Sequence, residues 1–479
     1  MSYPYMVPPA SPVRPAQSGR SWYTRTVAGV LFPVHELLKR HRTVPVRTAL
    51  ERSQYLAPAQ LQALQLERLR RLLSRAQRQS PYYREMFATI GFDAARDVQS
   101  VAALQRLPLL DKALIRANAH RIRAADASGL SRFTTGGSSG EPLVFEIGRE
   151  RISHDVAAKW RATRWWDVDI GDREMVVWGS PIELQRQDRL KRWRDRLLRT
   201  ELLPAFAMSE DRLDDFIARI RARPPRMLFG YPSALAHIAR HAQARGAAMD
   251  NLGVRVAFVT SERLYPEQRA LIGRSFGCPV ANGYGGRDAG FIAHQCPHGG
   301  MHITAEDIVV EIVDSCGQPV PAGASGEIVV THLATGDFPF IRYRTGDVGA
   351  LATAPCACGR TLPLLRDIEG RSTDFVVALD GTVMHGLALI YVVRELPGIA
   401  AFKIVQESLA LVRVQLVLAH PLDCAVRDHL VAGMRQRLGA AVQVIVEPVA
   451  AIAPEASGKF RYVVSRVDTR AGSGSGTPP

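Results

Sequence analysis

The chain has 479 residues, 47% hydrophobic and 22% charged, which is the make-up of a globular protein with a large core in two or three domains rather than of a disordered chain. No apolar run reaches the length of a membrane span, and six cysteines are too few for a disulfide framework, which points to a reducing compartment, the cytoplasm. The formal net charge is +15, and residues 1–125 alone hold twenty Lys and Arg against seven Asp and Glu. Such a surface is either a solvated Arg-rich face or a meeting place for anionic partners. No base-reading motif accompanies the charge, so nucleic acid is not an expected partner.

In chain order, residues 1–20 are Pro-rich without an apolar core and read as a disordered leader, not a signal peptide. Residues 21–41 mix Trp22, Tyr23, Val27, Val30, Leu31 and Phe32 with Arg25, Lys39 and Arg40. They either lie on a membrane surface or pack on the body of the protein. Leu61, Leu64, Leu69, Leu72, Leu73 and Ala76 recur at helix spacing and predict a helix over 57–79. SPYYREMF opens another helix, and Asp111 caps a third. From residue 130, short β-rich runs (MVVWG, RMLFGYPS, VRVAFVTSE, CPVANGYGG) alternate with amphipathic stretches, which predicts α/β layers around a parallel sheet. From about 303 the strands crowd together as a β-rich subdomain, and after 374 a strand–helix–strand–strand–helix–strand pattern predicts a small α+β unit. The expected division is a leader to 20, a large domain 21–372, a C-terminal lid 373–469 and a flexible tail 470–479.

Residues 133–142, FTTGGSSGEP, gather small hydroxyl and backbone-exposing residues in one loop. Such a loop is a turn or a cradle of N–H and O–H donors for polyphosphate, whose oxygens only accept. It is not a Walker loop, since no Gly-Lys-Ser/Thr closes it. Downstream stand YGGRDAG (284–290), RYRTGDVG (342–349), EGRSTDF (369–375) and SGKFR (457–461). Cys296, His302, Cys356 and Cys358 supply three thiols and an imidazole, the ligand types of a structural zinc, with His298 and then His294 competing for the fourth place and free thiols as the alternative.

In order and separation these motifs resemble those of acyl-adenylate-forming enzymes, most closely the phenylacetate–CoA ligase family and its branch linked to capsule and exopolysaccharide biosynthesis. The likeness runs from about residue 25 to 468 and is carried further by RDAGFIAHQCPHGGMHITAED, by Cys-Ala-Cys-Gly-Arg and by QLERLRRLLSRAQRQSPYYRE. It implies ATP-dependent activation of a small carboxylic acid, aromatic acids included, to an acyl adenylate, then transfer to coenzyme A. The alternatives are transfer to a carrier protein, amine or hydroxyl in surface-polysaccharide assembly, or a non-catalytic scaffold.

On that resemblance, Thr135, Gly136, Gly137, Ser138, Ser139 and Gly140 hold the β and γ phosphates of ATP. Glu141 departs from the usual Lys, so cationic help has to come from elsewhere. Tyr284, Gly285, Gly286 and Arg287 floor the adenine and α-phosphate, and Asp288 replaces the usual Glu as the Mg²⁺-linked group. Asp347 accepts from the ribose hydroxyls, Arg371 binds phosphate or ribose at the domain junction, and Thr373 stands where relatives often carry a charged hinge residue. Lys459, on the mobile lid, neutralises the α-phosphate as the adenylate forms. Trp178, Tyr231, Ser261 and Glu262, with Phe229, line the acyl pocket, core packing being the other reading of the aromatics. The metal-binding positions of relatives correspond to the Cys/His set, for a stapling Zn²⁺. Weak peripheral association with a membrane or a polysaccharide-assembly complex, and a homodimer, complete the expectations.

Overall fold

The computed structural model describes residues 21–134, 143–178, 194–205, 208, 210–371, 375–380, 383–385, 387–394, 396–452 and 462–467. The chain forms two units, one through Ile368 and the other from Glu369 onward, with residues 346–348 grouped with the second.

The predicted N-terminal helices form where the leucine spacing puts them. Helix Pro58–Gln79 opens on a proline, which has no N–H to leave unbonded, and buries Leu61, Leu69, Leu72, Leu73 and Ala76. Each buried leucine stabilises the packing by about 2 kcal/mol. Ser80 ends that helix and caps the next, Pro81–Thr89. Asp111 accepts from the Leu114 N–H at 2.8 Å and starts helix Lys112–Ile122.

Strands β1 (Ser131–Thr134) and β2 (Val144–Ile147) pair antiparallel. A sheet of eleven strands organises the rest of this unit. Its members are β3 (Glu174–Trp178), β4 (Thr200–Pro204), β5 (Met227–Gly230), β6 (Val256–Thr260), β7 (Val280–Gly286) and β8 (Gly290–Gln295). They continue with β9 (Met301–Ile303), β10 (Ile308–Val313), β11 (Gly326–His332), β12 (Tyr343–Leu351) and β13 (Leu364–Arg371). The spatial order is β10-β11-β12-β13-β9-β8-β7-β6-β5-β3-β4. Strands β4, β3, β5, β6 and β7 are parallel to their neighbours, and the sheet turns antiparallel at β8.

The apolar runs of β5 and β6 are buried on both faces, as parallel strands with covering layers are. Leu228, Ala257 and Val259 face one core with Phe216, Ile220, Leu235 and Ile238 from helices Glu210–Ala222 and Pro232–Ala244. Met227, Phe229, Val256 and Phe258 face the other, with Ala162 of helix Arg149–Arg164. The N-terminal helices pack with the antiparallel half in a third core through Leu69, Phe87, Phe145, Ile328 and Phe340.

The second unit has β14 (Phe375–Val377) and β15 (Val383–His385) as a hairpin, helix Leu387–Arg394, then β16 (Ile399–Ser408) and β17 (Leu411–Leu418). Helix Cys424–Leu438, β18 (Gln443–Pro448) and β19 (Val463–Ser465) complete it, with sheet order β18-β17-β16-β19. Buried Gln406 stands in for a strand partner: its amide receives the Val377 N–H at 3.0 Å and donates to the Val377 carbonyl at 2.6 Å. Among the described residues no helix is long and apolar enough to cross a membrane.

Candidate functional site

The parallel strands end together, and ligands of open α/β sheets gather at such carboxyl ends. Trp178 closes β3, Tyr231 follows β5, Ser261 and Glu262 follow β6, and Tyr284 to Gly286 close β7. Trp178 stacks on Tyr231 with ring centroids 4.4 Å apart and on Phe229 at 5.9 Å. Phe229 and Tyr231 are buried, whereas Trp178 is half-exposed and forms the accessible side of the stack. Lys159, which no motif singles out, sets its ammonium 3.9 Å from the Phe229 ring centroid and bonds Glu174 at 3.0 Å. Ser261 takes a left-handed backbone (φ +71°) and turns the chain so that Glu262 accepts from the Ser233 N–H at 3.2 Å. That places the Glu262 carboxylate on the first turn of helix Pro232–Ala244, where the helix dipole favours it.

The hairpin between β7 and β8 carries YGGRDAG. A Cβ on Gly285 would stand 2.2 Å from the Gly290 carbonyl oxygen, so only glycine permits this close return of the chain. The Asp288 carboxylate is held from two sides. The buried Tyr343 hydroxyl donates to Oδ2 at 2.7 Å, and the Ala289 N–H donates to Oδ1 at 3.1 Å. Tyr343 is itself fixed edge-on against Phe340 at 5.2 Å. Nearby, the Tyr284 hydroxyl reaches Thr345 Oγ1 at 3.4 Å.

RYRTGD therefore divides its labour. Arg342 points inward and donates to the carbonyls of Leu107 (2.7 Å) and Gly317 (3.1 Å), with Glu311 at 3.1 Å. Arg344 is bound to Glu327. These two arginines hold the fold, Tyr343 positions Asp288, and Asp347 lies half-buried on β12. Arg371 closes β13, and its side chain lies outside the described residues. So do Thr135 to Gly140, Glu141, Thr373 and Lys459.

Behind the hairpin sits a charged network that no sequence motif marks. Arg151, fully buried, donates to the Arg287 carbonyl at 2.9 Å and pairs with Asp155 at 3.3 Å. Asp155 in turn meets His332 Nε2 at 3.4 Å. Burial alone would raise the Asp155 pKa, but Arg151 and His332 hold it below the usual carboxylate range. In sequence, a buried Arg and Asp four residues apart on a helix look the same as a surface ion pair, so spacing gives no sign of this network.

Cys296, His302, Cys356 and Cys358 come together with their ligand atoms all within 4.8 Å of one another. Cys296 Sγ lies 3.6 Å from Cys356 Sγ, and Cys358 Sγ lies 3.1 Å from His302 Nε2. Tetrahedral zinc with these ligands has donor–donor edges of about 3.5–3.8 Å; one distance here lies in that range and one falls below it, and small side-chain shifts would let the set close around such an ion. Gly300 makes room, since a Cβ there would stand 2.7 Å from Cys356 Sγ. Burial pushes the Cys296 thiol up to about 12. It pushes Cys358 up too, but hydrogen bonds from Arg360 outweigh it and leave that thiol below its ordinary value. Burial, then Arg360, lowers His302 to about 4, which keeps its imidazole neutral as a ligand must be. His298 is exposed, and His294 is buried outside the cluster with its pKa lowered to about 3 by burial.

Residues 376–466 match the family described as the CapK C-terminal domain. Protein CapK of Staphylococcus aureus is 23% identical over 411 residues, covering 84% of this chain and 89% of that protein. Phenylacetate-coenzyme A ligase of Thermus thermophilus is 24% identical over 331 residues, 66% of this chain and 72% of the relative. Among solved structures, 2-hydroxyisobutyryl-CoA ligase in its postadenylation state superimposes with a TM-score of 0.70 at 22% identity, covering 88% of this chain and 93% of that one, and shares the fold. The motifs, the fold and these relatives agree: over most of its length the chain is similar to phenylacetate–CoA ligases and to CapK, and its residues 376–466 match the CapK C-terminal domain.

Proposed function

We propose that the protein is an AMP-forming acid–CoA ligase, which activates a small carboxylic acid with ATP and passes the acyl group to coenzyme A. The observation that carries this reading is Asp288, a half-buried carboxylate fixed by Tyr343 and Ala289 in the turn after β7, at the same carboxyl-end edge of the sheet as Trp178 and Tyr231. In the first step a substrate carboxylate oxygen bonds to the α-phosphorus while the bond to pyrophosphate breaks. In the second a thiol sulfur bonds to the acyl carbon, AMP leaves and the thiol proton is released to base. Each oxygen of Asp288 has a lone pair beyond its hydrogen bond, so the group fits Mg²⁺ held directly or through water. Bound there, Mg²⁺ would supply positive charge to the phosphate oxygens. Trp178 offers the flat apolar wall an aromatic or short branched acid would meet, and Asp347 is suited to the ribose diol. The Gly/Ser loop, Arg371 and Lys459 are assigned to the phosphates by their motifs. The Cys/His set is assigned a structural Zn²⁺, since four protein ligands leave no open position. None of the six cysteines forms a disulfide, which supports a cytoplasmic setting.

Pyrophosphate exchange dependent on added acid, run over a carboxylate panel and followed by coenzyme A, tests the reading. Lys459→Ala should nearly abolish exchange and leave the melting temperature unchanged. Wild-type exchange in that variant would remove Lys459 from the mechanism. No exchange with any acid would favour a scaffold. The similarity to CapK supports a second reading, in which the acyl group goes to a carrier thiol, amine or hydroxyl of surface-polysaccharide assembly. Exchange without thioester formation on coenzyme A would select it.

A further inference from the structure

Residues 22–38 invert the usual arrangement of a surface helix. They run through Trp22–Thr26, a π-helical turn Val27–Leu31 and Phe32–Leu38. Their inward positions are Thr24, Val27, Phe32 and Glu36, two of the four polar. The Thr24 hydroxyl donates to Asp172 at 2.8 Å, and Val27 sits against Gly171, where a Cβ would come within 2.6 Å. Phe32 meets Trp160 edge-on at 5.2 Å, and Glu36 is bound by the Thr43 hydroxyl and His41. The outward face is apolar instead. Trp22 is 76% exposed, Leu37 74% and Leu38 80%, and Val30, Leu31 and Val34 are exposed too.

The π turn has a part in this. Inward positions step by three, then five, then four residues, and the five-residue step from Val27 to Phe32 spans the π turn. An uninterrupted α-helix would turn Leu31 inward, whereas here Val30 and Leu31 both stay outside. Six of the eleven exposed large hydrophobics among the described residues fall in this one segment. A seventh, Leu197, lies next to it, since the Tyr23 hydroxyl bonds the Leu197 carbonyl at 2.9 Å.

Charge selects the occupant of this face. Arg25, Lys39, Arg40 and Arg42 accompany it, and Arg199 stacks on Tyr23 at 3.7 Å. The only carboxylate in residues 21–43, Glu36, is turned inward. A second copy of the chain would bring the same basic rim against this one. Residues 1–20 contain Arg14 and Arg20 and no acid, so they too would leave the rim unneutralised. An apolar face with tryptophan and a cationic border matches a bilayer surface with anionic headgroups.

We propose that residues 22–38 dock the protein on an anionic lipid surface, with Trp22, Val30, Val34, Leu37 and Leu38 entering the headgroup–acyl boundary and the flanking arginines and lysine meeting phosphates. The reading does not depend on the proposed ligase activity, because its test is binding. The full chain is floated with vesicles of phosphatidylcholine alone and with about one third phosphatidylglycerol. Binding is expected on the anionic vesicles only and should weaken in high salt. Leu37→Ser/Leu38→Ser should cut the apparent affinity about tenfold or more with the melting temperature unchanged. Lys39→Gln/Arg40→Gln should weaken binding on its own, with both leucines intact. Equal binding to neutral vesicles, no binding to either, or retention by the leucine variant would overturn the proposal. So would sedimentation showing a dimer that Leu37→Ser/Leu38→Ser dissolves, which would assign the face to a second copy. Binding that appears only after deletion of residues 1–20 would assign it to the leader.

Discussion

Strand β8 runs between two turns that are stabilised in different ways. At its Gly290 end the chain completes the site with its own groups: Tyr343 and Ala289 bond Asp288, and Arg151 bonds the Arg287 carbonyl. At its Gln295 end, Cys296 and His302 face Cys356 and Cys358, with the Cys296 and Cys356 thiols 3.6 Å apart and the Cys358 thiol 3.1 Å from His302 Nε2. The first turn holds one carboxylate in a fixed pose and can wait for a soluble ligand. The second brings together four groups of the types that ligate zinc, which bond one another in pairs and which an ion would bind as one set. One strand thus links a carboxylate held by the chain's own hydrogen bonds to the Cys/His set for which a structural Zn²⁺ is proposed.

The sharpest way to break this contrast is at Asp288. Asp288→Ala should lower acid-dependent pyrophosphate exchange by about a hundred- to a thousandfold while metal content and melting temperature stay as they are. Loss of metal in that variant would mean that the two ends of β8 are one structural unit. At the other end, Cys356→Ser/Cys358→Ser should abolish the binding of about one zinc per chain found by elemental analysis in chelator-free protein. Since a ligand a hundredfold above its Kd stabilises by roughly 3 kcal/mol, the melting temperature should fall by several degrees. An unchanged melting temperature in a metal-free variant would make the thiols mere packing.

Tyr343→Phe is a finer probe. It removes one hydroxyl donor to a carboxylate, a bond worth about 1.5 kcal/mol or more, so exchange should drop about tenfold and the Mg²⁺ requirement should rise. A drop without any change in Mg²⁺ dependence would detach Tyr343 from Asp288.

The smallest effect is expected in the buried charges behind the hairpin. Burial alone would lower His154, but Asp307 at 2.8 Å raises its pKa above the ordinary value. Burial alone would raise Asp307, but His154 and Arg68 hold it well below the carboxylate range. The His154 contribution is therefore full below about pH 6.5 and fades as pH rises through its raised pKa. The Asp307 contribution is present above the ordinary carboxylate pKa and fades as pH falls toward its depressed one. In urea titrations, His154→Gln should cost on the order of 1 kcal/mol near pH 6 and less by pH 9. A pH-independent cost would mean that the imidazole contributes only its packing.

The elements with strong periodicity are legible in the amino-acid sequence. Helix Pro58–Gln79, the buried runs of β5 and β6, and the Asp111 cap lie where leucine spacing, apolar runs and a capping carboxylate predict them. The Cys/His set is legible because thiols and imidazoles are scarce and chemically distinctive, and the structure selects His302 over His298 and His294. Residues 21–41 admit two readings in sequence, packing on the body or lying on a membrane. The packing holds for Thr24, Val27, Phe32 and Glu36, and the apolar face that stays outside is what the lipid proposal rests on. Less legible are partnerships across long separations. Nothing local distinguishes Arg342, buried under Leu107 and Gly317, from Arg344, which pairs across the sheet with Glu327.

The sequence by itself determined which segments become strand or helix and which residue types could meet phosphate or metal, because periodicity, capping and ligand chemistry are local properties. Only the tertiary structure decided which of those residues meet. Tyr343 holds Asp288 across 55 residues and Cys296 faces Cys356 across 60. The pairing of β8 with β7 and β9, and the neighbouring place of β13 in the sheet, bring such distant segments within reach. Hydrogen bonds and metal ligation act over about 2–3 Å, a scale that spacing along the chain does not specify.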